Sequence, residues 1–91
     1  MIEVRQTPYI SLIDVCRELG MRIRDFELAY HASNDSFVIL GLTDADAEDL
    51  WVEIEYEKDE KRRQRLTNDY SLVNLLRAMG YRGHMIVFVS W

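Results

Sequence analysis

The sequence predicts an α+β domain, a two-layer sandwich of a mainly antiparallel sheet with two main helices on one face. Three observations lead there. Apolar residues at helical spacing run into a glycine twice, over 9–20 and over 72–80. Short alternating or continuous apolar runs at 22–30, 37–42 and 85–89 have strand character. With 91 residues, 48% apolar and 30% charged, the chain suffices for one core and falls short of two. The expected order is strand–helix–strand, a hairpin region, then strand–helix–strand, all in one domain over 1–91.

Ile2 and Val4 alternate with Glu3 and Arg5, which predicts a first strand over 1–6. Thr7 then offers a cap and Pro8 fits the first helical position, where no amide donor is needed. Tyr9, Leu12, Ile13, Cys16 and Leu19 share one helical face, and Gly20 is placed to close the helix in the left-handed conformation. Over 22–30, Phe26, Leu28 and Tyr30 alternate with Asp25, Glu27 and Ala29, which predicts a half-buried strand. The polar cluster 33–36 reads as a turn, and Phe37 to Leu42 as the hairpin partner.

Residues 43–66 support two readings. A capping Thr43, acids at the start, bases at the end and the pairs Glu57–Lys61 and Asp59–Arg63 favour a helix. Against that, the face of Ala47, Leu50, Trp51 and Ile54 runs out at Lys58. Leu50, Val52, Ile54 and Tyr56 alternate with glutamates, so the expectation is a helical turn at 44–49, a strand at 50–57 and another near 62–66. Beyond it, Leu72 to Met79 is helical, Gly80 stops it, and Met85 to Val89 reads as a buried strand. Residues 5–22 also lie over 65–82 with shared Arg, Thr, Ser, Leu and Gly positions, which reads either as two copies of a strand–helix–glycine–strand unit or as the common spelling of any capped helix that leads into a strand.

Composition limits the function classes. No apolar run is long enough for a membrane span, and 1–7 lacks the form of a leader peptide. A single cysteine forms no internal disulfide, which points to a reducing, cytoplasmic setting. Cys16 falls on the apolar helix face, where a thiol is an inert hydrophobe. His31 and His84 are far apart in sequence, and no paired zinc-ligand spacing or glycine-rich phosphate loop is present. Asp44, Asp46 and Glu48 echo the opening of a calcium loop, but the glycine required at its sixth position is absent. No catalytic group, metal or cofactor is therefore assigned.

Charge is the distinctive feature. Residues 44–60 carry nine acids against Lys58, a net −8, while the rest of the chain nets +3. This run is either a solvated face or a negative surface for a basic protein. On the strand reading, carboxylates at alternate residues stand about 6.6–6.8 Å apart, close to the spacing of phosphates along one nucleic-acid strand. That leads to a non-enzymatic protein-binding or inhibitory module, mimicking nucleic acid toward a basic nucleic-acid-binding partner. Its expected contact residues are Asp44, Asp46, Glu48, Asp49, Trp51, Glu53, Glu55, Tyr56 and Glu57. In size and charge, though in no motif, the chain is similar to inhibitors of nucleases and of restriction or CRISPR effectors. The composition leaves room for a homodimer.

An alternative reading uses residues 10–31. Cys16, Gly20 four residues later and apolar Met21 resemble the core of a helix-turn-helix, with Phe26 and Ala29 placed for a second helix. That resemblance implies a DNA-binding regulator in which Arg22, Arg24 and His31 face DNA. Net acidity and the alternation at 26–30 count against direct nucleic-acid binding.

Overall fold

The computed structural model describes residues 8–32 and 37–89. Strand β1 is Tyr9–Ser11, helix α1 Leu12–Leu19, strand β2 Phe37–Gly41, helix α2 Asp44–Tyr56, helix α3 Glu60–Ala78 and strand β3 His84–Phe88. Two short 3-10 segments, Ile23–Asp25 and Glu27–Ala32, lie between α1 and β2. The α+β class is as expected. The sheet is small and mixed instead of mainly antiparallel: its order is β1-β3-β2, with β3 parallel to β1 and antiparallel to β2. Three main helices accompany it, not two.

Register fixes which side chains reach the core. Ile10, Val87 and Val38 align across the sheet, and Met85 aligns with Leu40. These residues face Leu12 and Cys16 of α1, Phe26 and Leu28, Ala47 of α2, and Leu72, Val73 and Leu76 of α3. The opposite rows, Tyr9–Ile86–Ile39 and Ser11–Phe88–Phe37, point the other way.

Helix α1 begins at Leu12 with Ser11 in the cap position, so Pro8 does not start it, and Tyr9 belongs to a strand. It ends as expected. Gly20 has φ 65°, and the Met21 N–H donates to the Cys16 carbonyl at 2.9 Å. The expected strand over 1–6, the Thr7 cap and the turn at 33–36 lie outside the described residues.

The strand expected at 22–30 is instead the pair of 3-10 segments. Alternation fails because Glu27 and Ala29 are buried along with Phe26 and Leu28. Glu27 tolerates burial because two arginines of α3 hold its carboxylate. Consequently β2 pairs with β3 and makes no hairpin with 22–30.

The strands expected at 50–57 and 62–66 are helical. Thr43 and Asp46 form a reciprocal capping box: the Asp46 N–H donates to Thr43 Oγ1 at 3.1 Å, and the Thr43 N–H donates to Asp46 Oδ2 at 3.1 Å. The apolar face runs out at Lys58 because α2 stops there. Glu57 is extended, Asp59 caps α3 by accepting from the Lys61 N–H at 2.9 Å, and a new face opens with Leu66, Leu72, Val73 and Leu76. The 50–56 alternation carries no burial pattern, since Val52 and Tyr56 are exposed while Ile54 is buried. The two-copy unit fails for the same reason: 65–71 is inside α3, whereas 9–11 is extended. What the copies share is a helix ending on a glycine with positive φ, Gly20 and Gly80.

Candidate functional site

The residues expected to form one acidic contact surface are divided by the helix into different roles. Asp46 is committed to the capping box; the Thr43 hydroxyl and amide hold its carboxyl below the usual range. A Cβ at Gly41 would run into that carboxylate, so the end of β2 is shaped around the cap. Asp44 pairs with Arg77 of α3. Glu53 and Glu57 turn toward Arg62, the first with a contact of 2.7 Å. The Asp59 amide and then Arg62 hold the Glu57 carboxyl below its ordinary value. Trp51 lies against Tyr70 of α3, ring centroids 5.5 Å apart.

Glu48, Asp49, Glu55 and Tyr56 stay exposed, and the three carboxylates make no ion pair among the described residues. Helical spacing puts Ala45, Glu48, Asp49, Val52 and Tyr56 on the side of α2 opposite Ala47 and Ile54. This strip, with Glu55 at its margin, is what remains of the expected contact surface.

A second cluster was hidden from one-dimensional reading. Arg62 Nε donates to Glu27 Oε1 at 3.2 Å, and Arg65 Nε donates to Glu27 Oε2 at 2.6 Å. Arg65 also lies over the Tyr30 ring, 4.7 Å from its centroid. Glu53 and Glu57, then Glu27, raise the Arg62 pKa further, and Glu27 does the same to Arg65. Glu53 of α2, Glu57 just beyond its end and Glu27 of the 3-10 segment are thus tied to the first turns of α3.

Asp69 is the other buried carboxyl, 6% exposed. Its Oδ2 accepts the Leu28 N–H at 3.0 Å, and Oδ1 has no partner among the described residues. Burial pushes its pKa up to about 7, with the charges of Glu27 and Glu53 adding to the rise. It caps the 3-10 segment from another helix, which sequence spacing could not reveal. Periodicity on α3 placed a carboxylate among apolar neighbours, and that was the only signal available.

Cys16 is buried in the core; that burial, and then the charge of Asp25, raises its thiol pKa and disfavours the thiolate. His31 and His84 are exposed. Among the described residues no three His, Cys, Asp or Glu side chains come close enough to hold a metal ion, and no helix is long and apolar enough to cross a membrane. Comparison with protein-family models, with curated proteins and with solved structures finds no match for the chain.

Proposed function

We propose that the chain acts by contact, without chemistry of its own, docking the outward strip of α2 onto a basic surface of a protein partner. The observation that carries this is the company of Tyr56 and Val52. They stand 79% and 43% exposed on the strip beside Glu48, Asp49 and Glu55, carboxylates that no described cation neutralises. Two apolar anchors one turn apart, flanked by carboxylates, fit the helix-in-groove mode of recognition with a basic rim.

The helix changes the nucleic-acid-mimic argument. Glu48 and Glu55 are seven residues apart, about 10 Å along a helix axis, which no longer matches the repeat of a phosphate strand. The support is therefore for a basic protein surface in general. For the DNA-reading alternative, the segment that would be the second helix consists of 3-10 turns with Phe26 to Ala29 buried, and no observation favours it.

The test is capture from native lysate by the chain and by its Glu48→Lys/Asp49→Lys/Glu55→Lys variant, with circular dichroism to check the fold. A partner held by the first, lost by the second and released by salt supports the proposal. The same proteins on both, at all salt concentrations, would overturn it.

A further inference from the structure

The side of the sheet turned away from the core carries Tyr9, Ile86 and Ile39 in one row and Ser11, Phe88 and Phe37 in the next. The rings of Tyr9 and Phe37 both meet Phe88 edge-on, at 5.6 and 6.2 Å. These two rows contain no Asp, Glu, Lys or Arg, in a chain that is 30% charged. Tyr9 is 70% exposed and Ile39 64%. Core residues come from the opposite rows, so none of the described helices covers this face.

At its β1 edge the face continues into a groove of about 460 Å³ between α1 and α3, which Tyr9 and Phe88 also line. There Leu19, Leu75 and Met79 are exposed as well. At about 200 Å² for a large apolar side chain, the exposed parts of Tyr9, Ile39, Phe37 and Phe88 present about 400 Å² on the sheet face alone. A standard interface takes about 800 Å² from each partner, a little over half of it apolar. The sheet face of one copy thus supplies most of the apolar share that a stable dimer requires.

We propose that two copies of this chain pair through this face, sheet against sheet about a two-fold axis. Charge selects the occupant. The chain has a net charge of −5, so two copies meet with least repulsion where formal charge is absent, and the outer sheet rows meet that condition. A basic partner finds no carboxylate on those rows; Asp14 and Glu18 line the groove alone, and Asp14 already faces Arg17 at 3.8 Å. The pairing is independent of the α2 reading and leaves that strip outward on both copies.

Light scattering and sedimentation over about 1–100 µM test it. The wild type is expected to dimerise within that range and to remain dimeric in about 1 M salt, where ionic contacts are screened. Ile39→Lys, and separately the milder Phe37→Ser, should weaken the dimer about thirtyfold or more with the circular dichroism spectrum unchanged. Val52→Lys/Tyr56→Lys on α2 should leave it intact. A wild type that is monomeric throughout, a dimer unaffected by both sheet substitutions, or one lost only in the α2 variant overturns the proposal.

Discussion

Asp69→Asn separates the buried carboxyl's charge from its hydrogen-bonding role. The folded carboxyl keeps its proton up to about pH 7, whereas an unperturbed Asp loses it at about pH 3.9. Between those values the folded chain holds the extra proton, so stability falls as pH rises, by about 1.4 kcal/mol per pH unit. Three units give about 4 kcal/mol in all, of which about 2 kcal/mol is lost between pH 5 and 7 and under about 1 kcal/mol above that. That is a large part of the stability of a small domain. The cause is the ionised form, which sits 6% exposed against Glu27 and Glu53 with one oxygen unpartnered among the described residues. Asparagine keeps an acceptor for the Leu28 N–H and cannot ionise. Urea unfolding of both proteins from pH 5 to 8 reads the difference, and the exposed histidines, common to both, cancel. The expected result is a wild-type stability that drops relative to the variant by about 3 kcal/mol over that range. A difference that stays constant with pH refutes the reasoning.

Thr43→Ala removes the capping hydroxyl and should cost about 1 kcal/mol in urea unfolding. The cost of that substitution should shrink on the acid side: in the wild type Thr43 holds the Asp46 carboxyl low, and that contribution is lost as pH falls through its folded value. Arg62→Met leaves Glu53, Glu57 and part of Glu27 without their cation, so its thermal midpoint should fall further than that of Lys61→Met, which has no ion pair to lose among the described residues. Phe26→Ala, at a fully buried ring, should cost about 3–5 kcal/mol by denaturation, showing that the 3-10 region belongs to the core.

Local signals were legible where one residue type answers one local requirement. Gly20, the Thr43 cap, the β2 run and the β3 run were all readable, because a left-handed turn, a free amide or a buried strand restricts the choice at that position. The failures at 22–30 and 50–57 have different causes. Periodicity assumes that charged residues face water, and Glu27 breaks that assumption from 35 and 38 residues away, through Arg62 and Arg65. At 58, an apolar face that ran out meant a helix end and a restart, not a strand. The open side of the sheet was equally hidden, since β1 pairs with β3 across nearly the whole chain and only that register aligns Tyr9 with Ile86.

The charge segregation along the chain has a folding role that precedes any binding role. Acids of α2 and bases at the start of α3 are separated by a tight turn, so reversing the chain sets Arg62 against Glu53 and Glu57 and leaves its third contact for Glu27. Such a cluster, partly shielded from solvent, ties α2 and α3 to the 3-10 segment that completes the core. Among the described residues α2 therefore keeps a strip of three unpaired carboxylates beside exposed Val52 and Tyr56, far less charge than the net −8 of the stretch implies. The sheet face offers the reverse chemistry, apolar area with no formal charge on its outer rows. Salt separates the two surfaces physically: capture through α2 weakens as ionic strength rises, while pairing through the sheet is unaffected. An association of this chain that shows both behaviours at once must therefore use both surfaces, and single substitutions at Ile39 and at Tyr56 will divide it into its parts.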